Sequence, residues 1–324
     1  MCLDAVPLRR DAAVIGLDFG GTKIDVALAD GDGVVLERLR LPMLADEVPE
    51  RAMGRAVAAA RELVAVAAER YDRRVAGYGA VTPGLPLDDG VALAPNLPGW
   101  ERLPFNRVLA ERLGTDRIAV ANDVRAGALA ELRLGVLRGV DPALYVSVGT
   151  GLAAALIAGG RVVHGAHGIA GEIGYSALDL TSAPAPGAAP LEEIVGGRAL
   201  GQTAMRVLGE PLDAAALFLR TDAVASQIVD RALATLGGAL ANLALLVDPA
   251  RIALGGGLMA DAARILPAIR DRLVSIDGRV AAPEVVTARF VQDASLHGAL
   301  ALALDVAAGG REIVQSVTGE GKSQ

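Results

Sequence analysis

Residues 14–31, VIGLDFGGTKIDVALADG, and residues 143–160, ALYVSVGTGLAAALIAGG, carry the same pattern at an offset of 129. In each stretch an apolar strand meets a Gly/Thr turn, a second apolar strand follows, and another turn ends the segment. We expect two β-hairpins whose turns, Gly20-Gly21-Thr22 and Gly149-Thr150-Gly151, bind a nucleotide triphosphate through backbone N–H groups and hydroxyls, with glycine reaching positive φ at low cost. One copy alone would be an ordinary hairpin turn, but the duplication favours two homologous domains across a cleft.

The composition describes a chain that can form two hydrophobic cores. Of its 324 residues 52% are hydrophobic, and the mean hydropathy is +0.42. The formal net charge of −7 gives no overall basic surface, so nucleic acid and anionic membranes are not expected partners. The longest apolar stretch, 232–247, contains polar residues and predicts a buried helix, not a membrane span. The first ten residues lack the apolar core of a signal peptide and Cys2 is the single cysteine, so we expect a cytoplasmic protein without an internal disulfide.

Strands and helices alternate along the chain, which is typical of an α/β fold. The pattern predicts strands at 34–41, 75–82, 117–121, 251–254 and 285–291, helices at 51–69, 105–113, 124–134, from the 255–257 turn to about 273 and at 294–308, and a proline-rich loop at 182–190. We expect an N-terminal domain at 1–121 with the helix at 294–308 packing back on it, a second domain at 122–293, and a flexible tail at 309–324.

Two charged residues stand out from their local context. Only two of the 31 basic residues are lysine, and Lys23 directly follows the first Gly/Thr turn, where a compact ammonium suits phosphate; chance retention is the alternative. Asp123 follows the strand at 117–121 and begins a helix. It fits a helix N-cap or a carboxylate at the C-terminal end of a strand, where α/β folds gather ligands and where it would accept a proton from a substrate hydroxyl.

The order and spacing of seven short motifs identify a family resemblance. They are GLDFGGTK (16–23), APNLPGW (94–100), ANDVRAGALAE (121–131), GTG (149–151), GIAGEIGY (168–175), LEE (191–193) and ALGGGLM (253–259). Together they resemble the ROK family (repressor, open reading frame, kinase) of sugar kinases, within the actin-like ATPase superfamily, over residues 14 to 308. The resemblance implies two actin-like, ribonuclease H-like α/β domains with a cleft between them, and a homodimer.

The resemblance also assigns roles in phosphoryl transfer. Asp123 is the general base that takes the proton from the 6-hydroxyl of a hexose as that oxygen attacks the γ-phosphate of ATP. Asp18 holds Mg²⁺ through water; its alternative role is a strand-end aspartate that caps a turn. The phosphates lie between the two Gly/Thr turns, and adenosine lies on a third glycine turn that is otherwise a plain strand-to-helix connection. These residues are Gly20, Gly21, Thr22, Lys23, Gly149, Thr150, Gly151, Gly255, Gly256 and Gly257.

Sugar recognition requires several polar groups that pair with neighbouring hydroxyls. By resemblance the substrate contacts are Gly84, Asn96, Asn122, Asp123, Glu172, Tyr175 and Glu192. Structural alternatives remain for two of them: Asn96 as a loop residue that supports a turn before Pro98, and Glu172 as a charge flanked by glycines.

The sequence departs from the family at its zinc site. Most members carry a histidine and three cysteines there. In this chain Tyr175 replaces the histidine, and residues 181–190 contain no cysteine, so we expect no zinc. Tyr175 would keep a hydroxyl contact at a different reach, which shifts the preference around C1 or C2 of the sugar or towards an amino sugar.

These observations favour an ATP-dependent, glucokinase-like hexose 6-kinase. Glucose is the first expected substrate, followed by 3-amino-3-deoxyglucose (kanosamine), N-acetylmannosamine, mannose and fructose, and polyphosphate is the alternative donor. The second function is a non-catalytic sugar sensor or pseudokinase, although about 13 residues before the first strand leave no room for a DNA-binding head. The third is a chaperone-type or cell-shape ATPase of the same superfamily, which the sugar-pocket motifs disfavour.

Overall fold

A computed structural model describes residues 9, 11–44, 47–94, 98–179, 181, 183–273 and 279–309. The chain divides into two compact units: the first is drawn from residues 1–130, 166–168 and 293–324, and the second from residues 131–165 and 169–292. The domain limits predicted from the sequence, 1–121 and 122–293, stay predictions beside this division. The predicted flexible tail lies outside the described residues except for Gly309.

The first unit is built on a five-stranded sheet. Its elements are β1 (Ala12–Phe19), β2 (Lys23–Asp30), β3 (Val35–Pro42), α1 (Pro49–Tyr71), β4 (Arg74–Thr82), β5 (Leu85–Pro86), β6 (Val91–Ala92), α2 (Phe105–Leu113), β7 (Ile118–Asn122) and α3 (Asp123–Leu134), which continues past this unit. The strand order is β3-β2-β1-β4-β7. β1, β2 and β3 pair antiparallel, whereas β4 pairs parallel with β1 and β7 pairs parallel with β4.

The second unit repeats this arrangement. Its elements are β8 (Ala143–Val148), β9 (Leu152–Ala158), β10 (Arg161–Val162), α4 (Glu192–Val195), α5 (Gly197–Leu208), α6 (Ala214–Leu219), α7 (Ala223–Val247), β11 (Arg251–Gly255), α8 (Ala262–Arg270) and β12 (Glu284–Thr287). The strand order β10-β9-β8-β11-β12 matches the first sheet place by place, with the hairpin antiparallel and the last two strands parallel. The second strands of the hairpins begin at Lys23 and Leu152, at the offset of the sequence repeat. The predicted hairpins and α/β class are confirmed.

Helix α9 (Ala294–Ala307) completes the first unit, because it covers the face of the sheet that Val14, Ala27 and Ala29 present. The contact is close enough to require glycine. A Cβ added at Gly79 would overlap the backbone oxygen of Ala299, and one added at Gly298 would overlap that of Ala126 in α3. The backbone of α9 therefore packs directly against the backbone of α3 and of β4. These contacts hold the start of α3 in place at the end of β7.

Helix α7 has the length and apolar composition that a membrane span requires, the one such helix in the part of the chain that the structure describes. One third (33%) of its most apolar window is buried. That buried side, which includes Val229, Leu233, Leu236 and Leu240, lines the core of the second unit. The helix predicted over 232–247 is thus present and begins nine residues earlier, where the Asp222 carboxylate accepts from the Ala225 N–H.

Two predicted elements differ from the structure. The strand expected at 285–291 ends at Thr287, because β12 can pair only along the short β11. After the third glycine turn the chain first forms a 3₁₀ turn at Gly257–Asp261, and α8 follows with Pro267 inside it and ends at Arg270. A proline has no N–H to donate, which weakens the helix there.

Candidate active site

The first Gly/Thr turn joins β1 to β2 and leaves space for a ligand. The Gly20 N–H donates to the Lys23 carbonyl at 2.9 Å, and the Thr22 carbonyl accepts from the Met43 N–H at 2.9 Å. A Cβ added at Gly21 would have no other atom within 4 Å. The closed turn with an open side at Gly21 is a shape that phosphate oxygens can approach.

Two glycines of the Gly/Thr turns, Gly20 and Gly151, lie where a side chain would be crowded. The positive φ predicted for them is wrong: the left-handed glycines lie at other turns, for example Gly159 at 63° and Gly160 at 72°. A Cβ at Gly151 would overlap the Glu192 Oε2 atom, and one at Gly20 would lie 3.1 Å from the Lys23 carbonyl. Close approach of neighbouring atoms, not backbone strain, therefore accounts for glycine at positions 20 and 151, whereas Gly21 and Gly149 have no such contact.

Asp18 lies half-buried at the end of β1, on the strand that leads into the first turn. The pKa of its carboxyl group is raised to about 7, mainly by burial and then by the nearby carboxylates of Asp123 and Asp25, while Lys23 and Arg38 act in the opposite direction. A buried carboxyl with acidic neighbours gains from a bound cation, since the cation offsets both the desolvation and the repulsion. A cation close to Asp18 would therefore stabilise the ionised form of this carboxyl group.

Lys23 contacts an acidic residue that the sequence analysis missed. Its Nζ atom lies 3.0 Å from Asp25 Oδ2, and the Asp25 side chain is buried. Part of this contact is visible in the sequence, because side chains alternate along β2 and so Lys23 and Asp25 lie on one face. The hairpin then pairs Asp25 with Asp18. Without the strand register, however, that pairing could not be assigned.

Asn122 and Asp123 share the start of α3. The Asn122 Oδ1 atom accepts from the Arg125 N–H at 2.9 Å, so Asn122 is the capping residue and the cap predicted for Asp123 is wrong. Asp123 is the first helical residue, and its Oδ1 accepts from the Val124 N–H at 2.9 Å. Burial raises the pKa of Asp123, which the backbone N–H groups only partly offset. The N-cap alternative for Asp123 is thereby removed.

The second Gly/Thr turn is held by the first residues of α5 and by Glu192 of α4. The Gly149 carbonyl accepts from the Gly197 N–H at 2.8 Å, and the Thr150 carbonyl accepts from the Arg198 N–H at 3.1 Å. The Glu192 Oε2 atom accepts from the Leu152 N–H at 2.9 Å. Glu192, predicted as a sugar contact, therefore also supports the turn itself.

The third glycine turn, Gly255-Gly256-Gly257, follows β11 within the same unit. Gly256 has φ 88°, and a Cβ there would overlap the backbone of Val148. A Cβ added at Gly149 would lie 3.8 Å from the Gly257 N atom, whereas Gly257 itself has no atom within 4 Å of its own missing side chain. The second and third turns are thus neighbours, and both expose backbone.

Glu172, Tyr175 and Glu192 form a second polar group in this unit. A 3₁₀ turn at Ile173–Tyr175 follows Glu172, and the Leu191 N–H donates to the Gly174 carbonyl at 3.1 Å. The Tyr175 side chain is 37% exposed; burial raises the pKa of its phenol, and the charges of Glu192 and then Glu172 add to the shift. A phenol that stays protonated beside two carboxylates suits recognition of hydroxyls.

The segment around the predicted contacts Gly84 and Asn96 is described in part. Gly84 has φ 81°, and a Cβ there would overlap the Ala92 carbonyl, so this position accepts only glycine. Asn96 lies outside the described residues. Trp100 packs in the core of the first unit, with ring centroids 5.7 Å from Phe19 and 5.6 Å from Phe105.

In the described ranges, no group of three or more histidine, cysteine, aspartate or glutamate side chains is arranged to hold a metal ion. A magnesium ion that binds through one carboxylate and its own water shell does not need such a group. The absence of a zinc site stays a prediction, based on Tyr175 and the cysteine-free residues 181–190.

Comparison with known proteins identifies the family. The ROK family profile matches residues 14–306. The chain belongs to the ROK family. N-acetylgalactosamine kinase AgaK of Shewanella sp. (strain ANA-3) is 30% identical over 310 residues, which cover 91% of this chain and 97% of that protein.

Two solved structures have the same architecture. The ROK hexokinase of Thermus thermophilus is 33% identical with a TM-score of 0.75, over 90% of this chain and 97% of that one. The ROK family glucokinase of Streptomyces griseus, solved with glucose and AMPPNP, is 26% identical with a TM-score of 0.71, over 90% and 99% of the two chains. The resemblance inferred from the motifs and the actin-like fold are confirmed, and this ROK protein is a sugar kinase.

Proposed function

We propose that this ROK protein transfers the γ-phosphoryl group of ATP to the 6-hydroxyl of a hexose, with Asp123 as the general base. Relatives that act on N-acetylgalactosamine and on glucose support a hexose as acceptor, and the relative bound to an ATP analogue supports ATP as donor. Glucose and amino or N-acetyl hexoses are the sugars to test first.

The observation that carries the proposal is a pair of acidic side chains within the first unit. Asp123 begins α3 at the end of β7, and Asp18 is the next-to-last residue of β1, two strands away in the same sheet. Both have a raised pKa, and the charge of Asp123 is among the causes for Asp18. Buried carboxyl groups with a raised pKa are candidates for a functional site, and the proposal assigns the one at the helix start to proton transfer and the one on β1 to the cation.

The reaction follows from these roles. As the 6-oxygen forms its bond to the γ-phosphorus, the bond between that phosphorus and the β,γ-bridging oxygen breaks and ADP leaves. Asp123 accepts the proton of the 6-hydroxyl, and its raised pKa makes it a stronger base than an ordinary aspartate. Proton transfer of this kind contributes ~10²–10⁴-fold, and positioning and charge neutralisation supply most of the rest.

The donor would be held by backbone more than by side chains. The proposal assigns the β- and γ-phosphates to Gly20, Gly21, Thr22 and Lys23 and to Gly149, Thr150 and Gly151, and adenosine to Gly255, Gly256 and Gly257. Asp18 would hold Mg²⁺ through water, and the bound ion would neutralise charge on the phosphates. The open positions at Gly21 and Gly257 support these assignments, because no protein atom occupies the adjoining space.

The acceptor sugar would meet a set of polar groups drawn from both sequence halves. The proposal keeps Gly84, Asn96, Asn122, Asp123, Glu172, Tyr175 and Glu192 as contacts. Tyr175 is the residue with the greatest expected influence on specificity, since its phenol replaces the family's histidine beside Glu172 and Glu192. We expect it to tune preference at C1 or C2.

The test is ADP release by the purified chain with a panel of hexoses, each with and without Mg²⁺. Release that requires both a hexose and Mg²⁺, with product phosphorus at the 6-position by NMR, is the expected result. ADP release without sugar would instead favour a chaperone-type or cell-shape ATPase. Sugar binding without ADP release would favour a non-catalytic sugar sensor.

We also infer a cytoplasmic protein, on its composition and single cysteine, and a homodimer, on the family resemblance alone. Light scattering coupled to gel filtration tests the assembly, and a mass equal to one chain would refute it.

A further inference from the structure

Five charged side chains form a cluster beside the first Gly/Thr turn. The buried carboxylate of Asp25 lies at its centre, and Lys23, Arg38, Arg40 and Asp293 are the other four members. The Asp25 side chain is 1% exposed. Lys23 Nζ lies 3.0 Å from Oδ2 and Arg40 Nε lies 2.9 Å from Oδ1. Arg38 binds the same carboxylate at both oxygens, with Nε 3.0 Å from Oδ1 and Nη2 3.0 Å from Oδ2. On its other edge Arg38 donates to both oxygens of Asp293, at 3.0 and 3.2 Å.

The strand register places this cluster on the same face as Asp18. Asp25 pairs with Asp18 across β1 and β2 and with Arg40 across β2 and β3. Side chains of directly paired residues share one face of a sheet. Arg40, Asp25 and Asp18 therefore form a row across three strands, and Lys23 lies two residues from Asp25 at the turn.

The cluster carries more positive than negative charge. Arg38 lies between two carboxylates, whereas Lys23 and Arg40 share Asp25 with it, so three cations face two carboxylates. The Asp18 carboxyl on the same face, whose pKa is raised to about 7, balances the remaining positive charge only in its ionised form. Hydrogen bonds from Arg38, Arg40 and Lys23 outweigh the effect of burial and hold the pKa of Asp25 well below its usual range, so it stays ionised. The surplus charge is accessible, because the side chains of Lys23 and Arg40 are 37% and 54% exposed.

We propose that Arg40 is a second cation for the phosphates of the donor, and that Asp25 is a positioning residue that holds Arg40 and Lys23 in place before the donor binds. The inference rests on the proposed function in taking ATP as donor. An exposed cation held by a buried carboxylate is ordered in advance, so less conformational entropy is lost when phosphate binds. A phosphate tail would supply the negative charge that the cluster lacks.

The experiment measures binding of MgATP, and of inorganic tripolyphosphate, to the full chain by calorimetry. We expect Arg40→Gln to weaken both by ~3–10-fold, the size of one partly screened charge contact, and to raise the KM for ATP by the same factor. The kcat and the KM for the hexose stay as in the parent protein. Arg40→Lys, which keeps the charge, recovers part of the loss.

Arg70→Gln is the matched control. Arg70 is 65% exposed and pairs with Glu37 of β3 at 2.6 Å. Glu37 pairs with Leu28, so this ion pair lies on the opposite face of the sheet from Asp25. The control removes the same charge near the same strand and leaves MgATP binding unchanged.

Asp25→Asn separates positioning from simple charge. The change adds one unit of positive charge, so charge alone predicts tighter MgATP binding, whereas loss of positioning predicts weaker binding. We expect weaker binding with an intact circular dichroism spectrum, and tighter binding would overturn the role of Asp25. If this variant does not fold, the two Arg40 variants still decide the phosphate contact.

The outcomes also separate this inference from the proposed function. If Arg40→Gln binds MgATP as well as Arg70→Gln does while the parent protein phosphorylates a hexose, the inference is wrong and the proposed function stands. If the parent binds MgATP through Arg40 but phosphorylates no sugar in the panel, the proposed function is wrong and the inference stands.

Discussion

The two hairpins of this ROK protein have the same backbone and different chemistry. At matched positions the first carries Asp18, Lys23 and Asp25, whereas the second carries Ser147, Leu152 and Ala154. The first turn is surrounded by ionised side chains, while the second is held by backbone hydrogen bonds from Gly197 and Arg198 and by Glu192.

This difference indicates what the repeat supplies and what it does not. Equal strand orders produce two turns that expose backbone at the ends of equivalent strands. The larger charged cluster, with Lys23, Asp25 and Arg40, lies beside the first turn, whereas the second turn has one long ion pair, Arg198–Glu192 at 3.5 Å. The second turn is held mainly by backbone hydrogen bonds and by close packing around Gly151.

The largest effect is expected for Asp123→Asn, in the first unit. We expect turnover to fall by at least ~10²-fold, because the amide cannot accept the proton of the 6-hydroxyl. Sugar binding and the unfolding midpoint stay close to those of the parent. The control is Asp116→Asn, which makes the same change at an exposed residue seven positions earlier. Near-normal turnover of Asp123→Asn would show that Asp123 is not the general base.

The next test uses the pKa of Asp18, about 7 against an ordinary 3.8. Because the folded chain binds this proton more tightly than the unfolded chain, folding stability without a divalent cation decreases as pH rises from about 4 to 7. A bound cation competes with the proton, so apparent Mg²⁺ affinity drops by ~10-fold for each pH unit below 7. Mg²⁺ titrations and unfolding curves at several pH values measure the affinity and the stability. Asp18→Asn should abolish both pH dependences, and a pH-independent Mg²⁺ affinity of the parent protein would contradict the role of Asp18.

A glycine exchange compares the two turns directly. Gly151→Ala places a Cβ against Glu192 Oε2 and displaces the hydrogen bond to Leu152, so we expect a loss of ~1–2 kcal/mol in the free energy of unfolding. Gly21→Ala meets no atom within 4 Å and should leave that free energy almost unchanged. Urea denaturation of both variants is the measurement, and equal losses would show that the turns are packed alike.

The smallest expected effect is at the far end of the first hairpin. There Asp30 Oδ1 accepts from the N–H groups of Asp32 and Val34 at 3.0 and 2.9 Å, while in the second unit Asp141 accepts from Gly159 and Gly160. Asp30→Ala should cost ~0.5–1.5 kcal/mol of stability without changing turnover. Asp32→Ala is the control, because the Asp32 side chain makes no hydrogen bond in that turn, which the structure describes in full. A larger loss of stability in Asp32→Ala would show that Asp30 is not the residue that holds the turn.

Local patterns predicted the framework of the fold. The repeated hairpins, the helix over 51–69 and the helix over 294–308 all appear, within two residues of the observed ends, because period and turn residues are local signals. Motif order predicted the family. The roles assigned to individual site residues rest on that resemblance and stay predictions.

What the sequence did not predict depends on contacts between distant residues. Asp25 acquires its partners only through the register of three strands, and Glu192 reaches the N–H of Leu152 across 40 positions. Asn122 takes the cap from Asp123 because the helix begins one residue earlier than the predicted 124. Side-chain partners across a sheet or a loop require coordinates, whereas strands and helices do not.

Helix α9 sets an order of assembly for the growing chain. It packs on β1 and β4 and touches α3 at Gly298, yet it follows the whole of residues 169–292. During synthesis residues 169–292 are therefore made before the helix that completes the first sheet. The unit whose strands are translated first cannot reach its full set of contacts until nearly the whole chain has been made.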